Sequence, residues 1–225
     1  PDMLKIYPTL LFRGTKLYEM YEKKEYQPLS VDEAAEIIAE AYRYIPRYVR
    51  VMRVQRDIPS NAIDAGPRRT NLRQLVIKKL KEKDIEPLDI RSRQIGIRKP
   101  GKELFFKTTK YKASNGYEYF IEAIDENDSI YGFIRLRIPY KPFMETIDKK
   151  TGLIRELHVY GAETPISRRG DIQHRGIGSK LLSMAEEIAE KKGMNRIIVI
   201  SGIGVREYYY KKGYKKREPY VEKEP

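Results

Sequence analysis

Apolar and polar positions recur along this chain with two different periods, and the change from one to the other divides it. The first part is largely helical in pattern. Ser30 stands before VDEAAEIIAEAYRYI, in which Ala34, Ile37, Ile38, Ala41 and Ile45 recur at helical spacing. Ser30 is a suitable N-cap, and Glu33 three residues on completes a capping box. A helical stretch precedes it, and NLRQLVIKKLKEKD is another after the loop SNAIDAGPRRT. Two strands are expected here: LKIYPTLLF as a buried one, and YVRVMRVQRDIP, which alternates apolar residues with Arg50, Arg53 and Arg56 and ends at Pro59.

From about residue 92 the period shortens to two. QIGIRK, ELFFKTTKYKA, YEYFIEAID and SIYGFIRLRIP read as strands of an antiparallel meander, separated by turns such as Ser114-Asn115-Gly116 and Asp125-Glu126-Asn127-Asp128. LIRELHVYG is a further strand. A helix follows with Ile177, Leu181, Leu182, Ala185, Ile188 and Ala189 on one face, then RIIVI, a continuous apolar run expected of a strand covered on both sides. GVREYYYKKGY predicts a short helix and YKKREPYVEK a last strand. The fold class is therefore α/β (α+β) in two lobes, residues 1–91 and 92–225.

Composition narrows the function. Within 225 residues there is no cysteine, which excludes disulfides, thiolate metal sites and cysteine nucleophiles in this chain. No apolar run approaches a membrane span and no secretory signal opens the chain, so a cytosolic location without membrane contact is the simplest expectation. The abrupt start, without Met and almost directly in a strand, reads as a piece of a longer protein. The net charge of +13 is uneven: residues 51–100 carry 13 basic against 6 acidic side chains, whereas residues 1–50 balance at 8 each. A basic surplus focused on one segment suits a polyanion, and equally suits a solvated surface.

The candidate chemistry lies at QHRGIGSKLL. Gly176 and Gly178 strip side chains from the start of a helix, where free amides and the helix dipole attract an anion. A dinucleotide fingerprint would need glycine at Leu181, and a phosphate-binding P-loop would need a Gly-Lys-Ser/Thr that is absent. Gln173, Gly176 and Gly178 instead match the Gln/Arg-x-x-Gly-x-Gly/Ala pyrophosphate loop of the GNAT acetyltransferases, and the order meander, strand, glycine turn, helix, buried strand, tyrosine-rich helix is the order that fold requires. Tyr208, Tyr209 and Tyr210 fan out by about 100° each, so they cannot all be buried. One can face a thioester and protonate a departing thiolate, or all three can serve packing. His158 should share a strand face with Glu156 and Tyr160; with His174 as the other histidine, no metal site is assigned. No carboxylate stands out as a base for a lysine amine.

The string RELHVYG…QHRGIGSKLLSMAEEIAEKKG…RIIVISGIGVREYYYKKGY resembles the Elongator catalytic-subunit family, and LKIYPTLLFRGTKLYEMY, VMRVQRDIP and DIRSRQIG resemble it in the same order. The likeness covers nearly the whole chain. It implies a GNAT lobe preceded by the end of a radical S-adenosylmethionine lobe, and a transfer-RNA enzyme that builds a carboxymethyl-type group on carbon five of the wobble uridine. Acetyl-CoA is the implied cofactor. The iron–sulfur cluster and S-adenosylmethionine belong to a part of the family absent from this cysteine-free chain, as does a lysine that touches acetyl-CoA. Carried over by position, the strand residues Glu156, Leu157, His158 and Val159 would meet the acetyl and pantetheine portion. Gln173, Arg175, Gly176, Ile177, Gly178 and Ser179 would cradle the pyrophosphate, and Tyr209, with Tyr208 beside it, would contact the acetyl end. Arg53, Arg56, Arg68, Arg69, Arg73, Arg91 and Arg93 would bind the anticodon region of transfer RNA. Where family members often carry a cysteine that some use for zinc, this sequence has Pro87. Self-association and other Elongator-like subunits are further implied partners. Two other functions remain open: a protein lysine acetyltransferase, and a non-catalytic module that docks RNA or a sister subunit.

Overall fold

A computed structural model of the protein describes residues 1–68, 71–160 and 176–225. Arg69, Gln173, His174 and Arg175 lie outside the described residues. The chain divides into two compact units, Pro1–Arg93 and Gln94–Pro225.

In the first unit β1 (Met3–Lys5) pairs in parallel with β2 (Arg50–Arg53). The opening strand is thus much shorter than LKIYPTLLF suggests. Pro8 has no amide to extend a ladder, and beyond it only Leu11 bridges, to Ala65. After α1 (Lys16–Glu22) comes α2 (Val31–Ala41), whose capping box is complete: the Ser30 hydroxyl accepts the Glu33 amide, and the Glu33 carboxylate accepts the Ser30 amide. α2 buries Ala34, Ala35, Ile38 and Ala39 but leaves Ile37 exposed, contrary to its expected place on the apolar face. Ile37 is one residue, about 100°, around from Ile38 and falls at the rim of the stripe. α3 (Leu72–Glu82) buries Leu72, Val76 and Leu80, one residue per turn, and packs on α2. Its Lys79 and Lys83 pair with Asp32, Glu36 and Glu40 of the neighbouring helix. The short α4 (Ile90–Arg93) closes the unit.

QIGIRK is not a regular strand. Gly96, at φ +91°, turns the chain so that Ile95 bridges Arg98, and Gln94 bridges Ile130. The meander then follows as expected in β3 (Leu104–Ala113), β4 (Gly116–Asp125), β5 (Ile130–Ile138) and β6 (Thr151–Val159), all antiparallel. Ser114 and Asn115, both at positive φ, make the two-residue turn that matches strand twist. β7 (Arg196–Val199) joins β6 in parallel after α5 (Ile177–Lys191), and α6 (Arg206–Tyr210) follows. The single terminal strand expected of YKKREPYVEK is two, β8 (Lys215–Arg217) and β9 (Tyr220–Lys223), because Pro219 sits in the turn between them. Among the described residues the sheet order is β3-β4-β5-β6-β7-β9-β8.

α5 lies across β4, β5 and β6 and buries Ile177, Leu181, Leu182, Ala185 and Ala189 against Ile121, Ile134, Leu136 and Ile154. The other sheet face is aromatic and charged. Arg135, 1% exposed, stacks over Phe120 and Phe133 at 5.0 and 5.3 Å. Buried Glu118 accepts from Arg137 at 2.8 Å and Arg155 at 2.9 Å.

The β4–β5 turn hangs on one buried carboxylate. Asp125 accepts the amides of Gly101 (2.6 Å), Asn127 (2.9 Å) and Ser129 (2.9 Å) and the Tyr131 hydroxyl (3.1 Å). Replacing it leaves the buried Ser129 amide without this acceptor and removes one partner of Tyr131, so Asp125→Ala is expected to cost about 2–3 kcal/mol. Hydrogen exchange checks this: the Asn127 and Ser129 amides should lose protection while α2 amides keep theirs.

Candidate active site

The second unit opens where β6 and β7 part. β6 pairs with β5 as far as Val159, but with β7 only over Thr151–Ile154. Glu156 to Val159 therefore present one backbone edge with no strand beside it among the described residues. A register shift between Arg135 and Leu136, opposite Arg155, bends β6 at this point. β7 ends at Val199, and Ile200, expected as the last residue of the buried run RIIVI, is 59% exposed.

The start of α5 stands at this opening. Gly176 is its N-cap, in the left-handed region at φ +86°, and among the described residues no side chain caps the helix. A side chain there would be strained, so glycine is what lets the chain enter the helix with its first amides bare. Gly178 is needed for space. A methyl placed on it would sit 3.1 Å from the Tyr208 hydroxyl and 3.4 Å from Val159 Cγ2. The helix start, the unpaired end of β6 and a phenol from α6 thus meet at one point.

That phenol belongs to Tyr208. Its hydroxyl is buried and makes no hydrogen bond of normal geometry, although Ser179 lies beside it. Burial raises its pKa, and the nearby Ser179 lowers it by less. Tyr209, expected at the acetyl end, is instead 6% exposed in the core, edge-on to Tyr208 at 5.2 Å and to Tyr214 at 5.6 Å. Burial pushes its phenol up to about 12. Tyr210 is half-buried. Ser201, just past β7, carries another buried hydroxyl without a partner. Sequence pattern gave no sign of it, since an isolated serine after a strand has no distinguishing spacing.

On the opposite face of β6, Glu156 accepts from Arg135 Nε at 2.9 Å and lies 3.3 Å from His158 Nε2. His158 stacks on Tyr160 at 6.1 Å, so Glu156, His158 and Tyr160 do share one face. Burial pushes the Glu156 carboxyl up, but the hydrogen bonds from His158 and Arg135 outweigh it and hold it below the ordinary range. Arg135 was missed in the sequence, though its alternation with Phe133 in GFIRLRIP puts both on this face. Among the described residues no three His, Asp or Glu side chains converge as a metal site, and no helix is long and apolar enough to cross a membrane.

The arginines of the first unit have different fates. Arg93 is fully buried, donating to the Leu88 carbonyl at 2.8 Å and the Arg47 carbonyl at 3.1 Å, so it is a structural residue and not the RNA contact expected of it. Arg53 is exposed but tied to Asp57, and Arg68 is exposed. Arg56 covers the Tyr7 ring at 5.3 Å, beside a cavity of about 300 Å³. Arg73 and Arg91 both donate to the Met52 carbonyl.

Comparison with known proteins agrees with this layout. Residues 1–82 match the radical SAM C-terminal domain, and residues 85–214 match the acetyltransferase (GNAT) family. The chain is 44% identical to a tRNA uridine(34) acetyltransferase of Methanocaldococcus jannaschii, over 99% of this chain and 43% of that protein. It is 38% identical to human Elongator complex protein 3, over 99% of this chain and again 43% of the relative. It therefore spans less than half the length of these relatives. A solved structure of Elp3 from Methanocaldococcus infernus, lacking its N-terminus, superposes with a TM-score of 0.92 at 43% identity, covering all of this chain and 56% of the other.

The Glu156–Arg135 pair yields a test of the site's frame. Glu156→Gln removes the carboxylate bonded to a buried guanidinium and is expected to cost about 3 kcal/mol. Arg135→Met/Glu156→Leu, which removes both charges, should cost clearly less. Because the folded pKa of Glu156 is lowered, its contribution is full above the unfolded value of about 4.3 and fades as pH falls through the folded one. Urea unfolding of the three proteins at pH 7 and pH 3 should show the deficit of Glu156→Gln shrinking in acid.

Proposed function

The chain belongs to the GNAT acetyltransferase family, with a radical SAM C-terminal domain ahead of its acetyltransferase domain, and from that membership we propose that it is the acetyl-CoA-handling portion of an enzyme that modifies the wobble uridine of transfer RNA. The observation that carries the proposal is the meeting of the bare α5 start, the unpaired edge of β6 and the Tyr208 hydroxyl at one crevice. Each suits a different part of the coenzyme. The amides at Ile177, Gly178 and Ser179 are placed to hold a diphosphate, aided by the dipole of a 15-residue helix. The free edge of Glu156–Val159 is placed to pair with an amide-containing arm as an added strand would. The buried Tyr208 hydroxyl, beside Ser179, is a polar group that a bound thioester can engage. These residues fit acetyl-CoA, which when bound supplies an activated thioester.

Tyr208 takes the role of proton donor in this reading, and Tyr209 that of the packed ring behind it. A phenol whose pKa is raised by burial keeps its proton at neutral pH and can give it to a developing thiolate. Glu156 has no part in deprotonating an acceptor, because Arg135 and His158 already hold it as a carboxylate of lowered basicity. That argues against a protein lysine acetyltransferase, which needs a base for an amine. The relatives named for tRNA uridine(34) acetylation and for Elongator complex protein 3 support the transfer-RNA assignment, as does the basic surplus of residues 51–100. Iron–sulfur and S-adenosylmethionine chemistry is assigned to no residue of this chain, which offers no thiolate.

Calorimetry with acetyl-CoA tests the site directly: saturable heat is expected, and its absence would leave only a docking module. Thioester consumption is then followed with and without transfer RNA, and with lysine peptides. Stimulation by RNA and not by peptide is expected. Tyr208→Phe should lower turnover by about 10²-fold with acetyl-CoA affinity kept, whereas Tyr209→Phe should chiefly lower the melting temperature. Equal loss of affinity and turnover in Tyr208→Phe would contradict the donor role.

A further inference from the structure

Three arginines of the first unit are held together in a way that simple solvation does not explain. The Met52 carbonyl on β2 accepts from Arg73 Nη2 at 3.3 Å and from Arg91 Nη1 at 3.2 Å, and the same Arg73 nitrogen reaches the Val51 carbonyl at 3.0 Å. Two guanidiniums that share one oxygen have nitrogens no more than two hydrogen-bond lengths apart. Arg50 lies two residues before Met52 in the strand, hence on its face and opposite buried Val51. The Arg91 pKa is lowered by burial first, then by repulsion from Arg73 and from Arg50, which puts both of them within electrostatic reach of Arg91.

Neutralisation is incomplete. The carboxylate that faces them, Asp89, is fully buried and its Oδ2 accepts the backbone amides of Val51 and Arg91, at 3.3 and 3.2 Å. Arg53 nearby has Asp57, but among the described residues none of Arg50, Arg73 and Arg91 has a carboxylate in ion-pair contact. All three side chains are half-buried, so solvent reaches them. Each guanidinium has five N–H donors; the carbonyl contacts engage one nitrogen each in Arg73 and Arg91, and Arg73 also meets the Tyr42 hydroxyl, so donors remain on both. Like charges crowded on a scaffold, with donors left over, suit an oxyanion that takes several forked donors at once.

We propose that Arg50, Arg73 and Arg91 form a cradle for a single backbone phosphate of bound RNA. The assignment of the phosphate to RNA rests on the transfer-RNA reading above, and the cradle itself rests on the arginine geometry. Arg50 is the member that sequence reasoning did not single out as a contact. It is also the safest to replace, since its side chain makes no hydrogen bond within the described residues.

The test uses the 225-residue chain. Arginine Nε–Hε resonances are followed as inorganic phosphate is added; saturable shifts of Arg50, Arg73 and Arg91 together are expected, and their loss in Arg50→Gln. Affinity for a transfer-RNA anticodon stem-loop is then measured against salt. Arg50→Gln should lower the log–log slope by about 0.7–0.9, the value of one phosphate. Arg50→Gln/Arg73→Gln should lower it no further, because both arginines grip the same group. Additive slope losses, or scattered and unsaturable shifts, overturn the shared cradle. RNA binding that ignores Arg50→Gln, with no phosphate shifts, overturns the cradle and leaves the RNA reading standing. Phosphate shifts without any RNA binding do the reverse.

Discussion

Everything in the second unit that bears on chemistry depends on a parallel strand pair that stops pairing partway. Backbone amides and carbonyls must find partners when buried, so a sheet that opens after Ile154 keeps its open groups only where something can reach them. β6 does not unravel there because β5 still holds its other edge as far as Val159. The helix that follows begins beside the same gap, and among the described residues neither its first amides nor the facing edge of β6 has a strand or side-chain partner. The side-chain demand is mainly for absence, at Gly176 for backbone conformation and at Gly178 for room.

The reverse face of the sheet makes such an opening tolerable. Arg135, stacked over the adjoining rings of Phe120 and Phe133 and bonded to Glu156, ties β6 across β5 to β4 just where β6 loses β7. A buried ion pair contributes little net stability compared with apolar packing. It does fix geometry, since neither partner can shift without stretching a 2.9 Å hydrogen bond that has little access to water. The same commitment settles a chemical question: a carboxylate held by a guanidinium and an imidazole is a weaker base than a free one.

Secondary structure was legible where local chemistry decides it. The Ser30–Glu33 capping box, the Ser114–Asn115 turn and the apolar stripe of α5 all form as their residues dictate, because each depends on neighbours within a turn or a hairpin. The opening strand and QIGIRK were over-read, since apolar runs alone do not reveal that Pro8 withholds an amide or that Gly96 reverses the chain. At the candidate site the glycines were visible, whereas sequence put Tyr209 ahead of Tyr208 and the structure puts the Tyr208 hydroxyl beside the helix start. Three consecutive tyrosines on a five-residue helix give the pattern no phase, so which ring faces the core is decided by the packing of Tyr214 against Tyr209. Charge counting was least informative. The same basic segment holds a fully buried Arg93, an ion-paired Arg53 and the crowded Arg73 and Arg91, and only tertiary structure separates them.

The distinction between the two tyrosines has a physical basis beyond exposure. Both phenols have raised pKa values, and burial is the leading cause in each, so the tendency to hold a proton does not separate them. Position does. The ring of Tyr209 is flanked edge-on by Tyr208 and Tyr214 within the core behind α6. The Tyr208 hydroxyl is the one in contact distance of the helix start, and it is buried without a hydrogen bond of its own. A donor already satisfied would have to break a bond before transferring its proton. In the role proposed above, a phenol with no more than a weak contact to Ser179 is free to donate where negative charge develops.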